Sequence, residues 1–399
     1  VLTLETLAAL RTPAGEMLLA EAGAIAAEWP DPLRAITRLR RRHPPELAAA
    51  ALETVQLRAR AAAKFPEAAR MFFTAEALEQ ASSAAAAAHI AARFAGQAGS
   101  IQDVLDLGCG LGGNTIALAR VARVTAIDRD PLRLALARAN AEACGVAERI
   151  SFMQADLLDD SLPAAGAAFC DPGRRTPDGA RLFDPRRWQP PLDAALRLAA
   201  RFPAFGIKAA PGIRDADLPP GCEAEFVQEG STLGIAMLWL GAFAGAERRA
   251  TLLPSGETLG FTPLEPVAVA APRAVLYEPQ PAAIRARLLQ QLGHALDATR
   301  IDETTAFLSA DAARPTPFAT AYAIDEWLPF NLKALQRRLR ALRVGRVVVK
   351  TRASPLDPQQ LERLLKLDGP EERVLVLTRV LGRHAALICR RVDTSERAS

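Results

Sequence analysis

The chain has 399 residues, half of them hydrophobic and 24% charged, with a formal net charge of +4. That length suggests two or three domains, and the apolar content excludes wholesale disorder. No apolar run approaches the ~20 residues needed to span a bilayer, and the N-terminal segment, with Glu5 early, lacks the basic-then-apolar order of a signal peptide. No membrane partner is expected.

The charge is unevenly spread. Residues 331–399 hold 16 Lys or Arg against 7 Asp or Glu, whereas residues 1–330 hold 33 against 38. Of the 49 basic residues, 44 are Arg, so a compositional bias competes with phosphate binding as the explanation. Cys109, Cys144, Cys170, Cys222 and Cys389 are scattered without a CxxC pair. That pattern predicts neither a disulfide framework nor a metal site, and it fits a reducing cytoplasm.

Residues 1–96 read as helices. Thr12-Pro13 and Asp31-Pro32 are helix openings, Pro45 fits a first turn, and 75–94 reads as one further helix. Arg38 and Arg40 to Arg42 read as a solvated helix face. From 104 to 240, short apolar runs at 104–107, 124–127, 150–153, 167–170 and 204–207 alternate with helical stretches such as 131–144. This predicts a doubly wound, mostly parallel sheet. Two hairpins follow, 223–228 with 234–240 and 248–253 with 257–261, then a Pro-rich linker at 262–272. A second α/β unit begins with strand 275–277 and helix 279–296, continues with strand 322–327, basic helix 331–342 and strand 346–350, and ends with helix 358–366 and a hairpin, 373–380 with 384–390. The expected domains are 1–75, 76–270 and 271–399.

Between the first strand and the next helix stands Asp106-Leu107-Gly108-Cys109-Gly110-Leu111-Gly112-Gly113. Gly108, Gly110 and Gly113 satisfy the G-x-G-x-x-G dinucleotide fingerprint. Asp106, however, would repel a pyrophosphate and attract a ligand carrying an ammonium group. Asp128 ends the second strand, where a carboxylate can accept both ribose hydroxyls, a feature shared with nicotinamide enzymes. Asp156, just after the third strand, can accept from an adenine amino group. Asp130-Pro131 reads as a helix cap.

On these residues, 104–171 resembles a class I S-adenosylmethionine-dependent methyltransferase. Leu111-Gly112-Gly113-Asn114-Thr115 and Ala126-Ile127-Asp128-Arg129-Asp130-Pro131 are similar to its RNA-cap guanine-N2 (trimethylguanosine synthase-like) branch, as is the segment from Phe72-Phe73-Thr74 to His89-Ile90-Ala91. Residues 275–392 resemble the THUMP-like domain appended to certain bacterial methyltransferases. The resemblance implies a Rossmann-like α/β core with a mostly parallel seven-stranded sheet, an N-terminal helical domain and a C-terminal α/β THUMP-like domain. It also implies S-adenosylmethionine as cofactor, held by Asp106, Gly108, Gly110, Gly112, Asn114, Asp128 and Asp156, and an RNA substrate, tRNA or rRNA.

Amino-group methyltransferases of this fold usually carry (Asp/Asn/Ser)-Pro-Pro-aromatic after the fourth strand. An exocyclic amine shares its lone pair with its ring, and acceptors for its N–H groups return electron density for in-line attack. Here the sequence reads Asp171-Pro172-Gly173-Arg174: Asp171 and Pro172 are kept, Gly173 replaces the second proline, and Arg174, whose plane can also stack on a base, replaces the aromatic. Arg174, Arg175, Arg181, Arg186 and Arg187, with Trp188, make a basic loop suited to RNA. Lys208, one of only five lysines, reads as a surface lysine, with substrate contact as the alternative, and Phe72 and Phe73 as either core or a cover for the site. The expectation is N-methylation of an RNA base, with Asp171, Pro172 and Arg174 at the reacting amine. Two rivals remain: a methyltransferase for a small molecule or protein, and a non-catalytic RNA-binding protein that retains the cofactor pocket. A nicotinamide oxidoreductase stands further off.

Overall fold

The structure is a computed structural model that describes residues 2–96, 101–158, 162–176, 179–352, 357–365 and 367–392. They fall into two compact units, Val1–Glu223 with Ile235–Gly245 and Ala224–Gly234 with Ala246–Ser399.

Four helices open the first unit: α1 (Leu4–Leu10), α2 (Pro13–Glu28), α3 (Pro32–Leu39) and α4 (Pro45–Ala61). Thr3, Thr12 and Asp31 cap the first three, and prolines occupy the first positions of the last three, where an N–H would have no helical partner. α2 buries Gly15, Leu18, Leu19, Ala22 and Ile25 along one stripe. A Cβ on Gly15 would lie 2.2 Å from the Ala9 carbonyl oxygen, so only glycine allows this approach of α1 and α2. The stripe shares its core with Leu136 and Ala139 of the later helix Pro131–Ala143. The expected separate domain at 1–75 is therefore part of the first unit.

The stretch 75–94 is two helices, α5 (Ala75–Gln80) and α6 (Ala84–Ala95). Lys64 Nζ donates to the carbonyls of Leu78 (2.8 Å) and Ala81 (3.2 Å), satisfying the end of α5, and the Ser83 side chain caps α6. The α/β elements follow: β1 (Asp103–Leu107), α7 (Gly113–Ala119), β2 (Arg123–Asp128), α8 (Pro131–Ala143), β3 (Ile150–Gln154), β4 (Ala167–Cys170), α9 (Leu192–Ala199), β5 (Ala204–Ala209), β6 (Glu223–Glu229) and β7 (Thr232–Gly241). In the first unit the order is β3-β2-β1-β4-β5-β7, parallel except for β7. The chain winds outward from β1 to β3 and then returns to β4, so a crevice opens between the C-terminal ends of β1 and β4, where open α/β sheets bind ligands. Gly206 in β5 is required by packing: a Cβ there would lie 2.7 Å from the Trp239 ring.

In the second unit β6 pairs parallel with β8 (Arg248–Leu253), which forms the expected hairpin with β9 (Glu257–Gly260). The stretch 262–272 is no free linker. The Thr262 and Glu265 carbonyls accept from Gln291 and His294, and Val267 packs where a Gly293 Cβ would stand. There follow β10 (Val275–Pro279), α10 (Pro281–Arg285), α11 (Leu289–Leu296), β11 (Thr299–Arg300), β12 (Leu308–Ala310), β13 (Ala319–Pro329), α12 (Leu332–Ala341), β14 (Val344–Thr351), α13 (Pro358–Leu365), β15 (Glu371–Val380) and β16 (Arg383–Arg391). The expected helix 279–296 is broken at Arg287, which takes a left-handed φ of 58°. The sheet order is β11-β12-β10-β13-β16-β15-β14, and only β14 and β15 are parallel, joined through α13. Leu335 and Leu339 of α12 and Leu361 and Leu365 of α13 share one core with sheet residues Leu375 and Ile388. A second core holds Leu276, Ile301, Phe307, Tyr322 and Leu387. No helix among the described residues is long and apolar enough to cross a membrane.

Candidate active site

The turn after β1 has three glycines with left-handed backbones, Gly108 (φ 87°), Gly110 (φ 55°) and Gly112 (φ 89°). The N–H groups of Gly108 and Cys109 both donate to the Ile127 carbonyl, at 2.9 and 3.0 Å, which fixes the turn to β2. A Cβ on Gly112 would crowd Ala137 of α8 at 3.1 Å, whereas one on Gly110 would meet nothing within 4 Å. The first is thus a packing glycine, and the second leaves its backbone open to a ligand.

Asp106 is buried, and its Oδ2 accepts from Thr115 Oγ1 of α7 at 2.5 Å. Burial pushes its pKa up to about 7; the Asp171 and Asp128 carboxylates push the same way, while Thr115 and Lys208 oppose them. Asp128 is buried too and braces the turn: Oδ2 accepts from the Gly110 N–H (3.1 Å) and Oδ1 from the Asp130 N–H (3.0 Å). Asn114 Oδ1 is buried without a hydrogen-bond partner among the described residues. Asp156 is exposed and closes its own turn through the Leu158 N–H at 3.0 Å.

Asp171 follows β4 on the other side of the crevice; its carbonyl oxygen stands 3.6 Å from where a Gly108 Cβ would be. Lys208 is no surface lysine. It is 2% exposed, and its Nζ meets Asp171 Oδ2 at 2.6 Å. The β4–β5 register pairs Cys170 with Ile207 and so places the next residues side by side. Asp171 Oδ1 has no partner among the described residues, and Pro172 is buried beside it in sequence. Arg174 is half-buried, with its carbonyl accepting from the Leu182 N–H at 2.8 Å. Trp188, expected at an RNA surface, is instead 1% exposed and donates Nε1–H to the Leu182 carbonyl, so it is an internal strut of the loop. Burial raises the thiol pKa of Cys109 and Cys170, keeping both as neutral thiols.

One residue of the site escaped the sequence reading. Asn140 of α8 is fully buried; its Oδ1 accepts from the Phe72 N–H (2.7 Å), and its Nδ2 donates to the carbonyls of Phe72 (3.0 Å) and Leu111 (2.9 Å). It joins the glycine turn to the segment before α5. Phe72 and Phe73 are core residues, the first under the Arg58 guanidinium and the second against Phe65. Among the described residues, no group of three or more His, Cys, Asp or Glu could hold a metal ion.

Residues 104–170 match the family described as methyltransferase domain, 319–391 the THUMP domain-like family, and 3–61 a domain of unknown function, DUF8688. Over 356 residues the chain is 33% identical to an uncharacterized S-adenosylmethionine-dependent methyltransferase of Mycobacterium tuberculosis (strain ATCC 25618 / H37Rv), covering 85% of this chain and 96% of that protein. A 57-residue segment is 40% identical to trimethylguanosine synthase of Schizosaccharomyces pombe, 14% of this chain and 24% of that one. The crystal structure of a candidate methyltransferase from Porphyromonas gingivalis W83 superposes with a TM-score of 0.72 at 20% identity, over 88% of this chain and 92% of that chain, and shares the fold. The chain belongs to the family of S-adenosylmethionine-dependent methyltransferases that includes the mycobacterial protein, and S-adenosylmethionine is its cofactor.

The site fits that group. A buried carboxylate with a raised pKa gains from a cation beside it, Asn114 offers an orphaned acceptor, and Gly110 leaves its backbone open.

Proposed function

We propose that the protein methylates an exocyclic amino group of an RNA base, with guanine N2 as the first candidate, in a reducing cytoplasm. Asp106, Gly108, Gly110, Gly112, Asn114, Asp128 and Asp156 hold S-adenosylmethionine, which supplies an electrophilic methyl group on a sulfonium. Asp106 faces the ammonium, Asp128 the ribose hydroxyls and Asp156 the adenine amine. Asp171 Oδ1 accepts one N–H of the target amine, the main chain at Pro172 positions it, and Arg174 contacts the substrate. Once methylated, the nitrogen is cationic and strongly acidic, so its proton passes to a base as weak as Asp171 Oδ1 or to water.

The observation that carries this reading is the division of labour at Asp171: one oxygen is held by Lys208 and the other has no partner among the described residues, at the crevice between β1 and β4. The THUMP-like match over 319–391 and the short likeness to trimethylguanosine synthase support RNA as the substrate. The five cysteines form no disulfide, which is compatible with a reducing compartment. The test is transfer of labelled methyl groups to total RNA from a strain lacking the gene, followed by nucleoside mass spectrometry. Label in an N-methylated nucleoside is expected. Label only in protein or small-molecule fractions overturns the RNA reading.

A further inference from the structure

The loop after β4 presents an aromatic side chain that the reading so far leaves unused. Phe183 is 81% exposed, the most exposed large apolar side chain among the described residues. It is not on a loose tip. On one side Leu182 is buried, its N–H donating to the Arg174 carbonyl at 2.8 Å and its carbonyl accepting from Trp188 Nε1 at 3.1 Å. On the other side Asp184 accepts from the Arg186 N–H at 3.1 Å, and Pro185 is buried. Two bridges, Gly173 with Gln189 and Arg175 with Arg181, complete the ladder. A phenyl ring held in water between two buried anchors gives up burial that its own loop could have provided.

Its surroundings are cationic. Arg175 pairs with Glu79 and Arg186 with Asp184, but Arg174, Arg181 and Arg187 make no ion pair among the described residues. An exposed ring on a backbone anchored at both sides, beside arginines without ion pairs among the described residues, matches single-stranded nucleic acid, in which every base has a face to stack and every linkage a phosphate. The pairing sets buried Leu182 across from Arg174, and alternation along the extended segment puts exposed Phe183 on the opposite face, together with exposed Arg181. We infer that Phe183 is the stacking platform for a base of the single-stranded RNA substrate. This rests on the RNA reading proposed above.

The full chain is tested with a fluorescein-labelled single-stranded RNA 12-mer pool, by anisotropy, across a salt series. Stacking of one base on an aromatic ring predicts that Phe183→Ala weakens binding by roughly 5- to 100-fold. The slope of log affinity against log salt stays unchanged, because no phosphate contact is lost, and S-adenosylhomocysteine still binds as in the wild type. Phe183→Trp retains affinity, and its emission is quenched by RNA. Phe183→Leu, apolar but without a ring, behaves like Phe183→Ala. Wild-type affinity in Phe183→Ala, or full rescue by Phe183→Leu, overturns the inference. So does a loss confined to anionic phosphatidylserine vesicles, which would make Phe183 a membrane wedge. If the wild type methylates RNA and Phe183→Ala does so equally well at limiting RNA, the stacking role alone falls. If the wild type neither binds nor methylates RNA, the underlying reading falls with it.

Discussion

Lys208 Nζ lies 2.6 Å from Asp171 Oδ2, with the lysine almost wholly buried and the aspartate carboxylate 22% exposed. The pair stands at the ends of two adjacent parallel strands, so it is set by sheet register rather than by chance contact between long side chains. It fixes the rotation of the carboxylate and directs Oδ1 as the remaining acceptor.

Removing one partner of such a pair strands the other. Lys208→Met is expected to cost about 2–4 kcal/mol; the lower part of that range applies because Asp171 keeps some access to water. The double variant Lys208→Met/Asp171→Asn should recover part of the loss, which a double-mutant cycle in urea measures. Activity should not recover with it. Lys208→Met should lower kcat well below wild type while cofactor affinity changes little. A cofactor Kd that rises in step with the loss of kcat would show that Lys208 acts on the cofactor side instead.

Asp106 makes a pH prediction with two opposite signs. Its folded pKa, about 7, lies above the ordinary aspartate value of 3.8. Between those values the folded protein holds a proton that the unfolded chain has released. Its contribution to stability is therefore fully present below the unfolded pKa and is lost as pH rises through about 7. Asp106→Asn removes this loss. The variant's stability advantage over the wild type, measured in urea, should grow between pH 4 and 7 and then level off at roughly a few kcal/mol. Cofactor binding runs the other way. A cation beside Asp106 needs the carboxylate, so wild-type affinity should fall as pH drops below about 7, by up to tenfold per unit. Calorimetry of S-adenosylhomocysteine should find Asp106→Asn weak and flat across the same range.

Much of this site can be read in the sequence, because its parts are local. The glycine turn, the capping residues Thr12, Asp31 and Asp130, and the acids at the strand ends all lie within a few residues of the signal that reveals them. The misreadings are long-range. Lys208 looks like any exposed lysine until β5 is set beside β4. At the break between α5 and α6 the carbonyls are satisfied by Lys64, more than ten residues upstream. Trp188 is buried although its arginine neighbours suggest a surface, because burial in the loop is decided by the ladder and not by adjacency to arginine. β11 and β12 are two and three residues long and have no periodicity to read.

Asn140 should be structurally indispensable. Asn140→Ala leaves the Phe72 N–H and two carbonyls, of Phe72 and Leu111, without partners in the core. Each unsatisfied buried group costs about 1–3 kcal/mol, so a loss of about 3 kcal/mol or more is expected in urea denaturation. Asn140→Asp is no rescue, because it keeps the acceptor for Phe72 but turns a second oxygen against the two carbonyls. Since Leu111 lies in the glycine turn, both variants should also weaken S-adenosylhomocysteine binding.

Part of the basic surplus of residues 331–399 lies on α12. Arg338 is already engaged by Glu326 of β13, at 2.6–2.7 Å, and Leu335 and Leu339 face the core. That leaves Lys333, Arg337 and Arg340, at i, i+4 and i+7, as one exposed stripe without ion pairs among the described residues. If this stripe contacts phosphates, the triple variant Lys333→Ser/Arg337→Ser/Arg340→Ser should bind RNA more weakly. It should also flatten the dependence of log affinity on log salt, by roughly 0.7 per lost contact for a single strand. Arg338→Ser should instead lower stability without changing that slope, because its charge is spent on Glu326. An unchanged slope in the triple variant would assign the surplus to solvation of a helix face. The slope distinguishes the two directly, because a purely solvated charge releases no counterions when RNA binds.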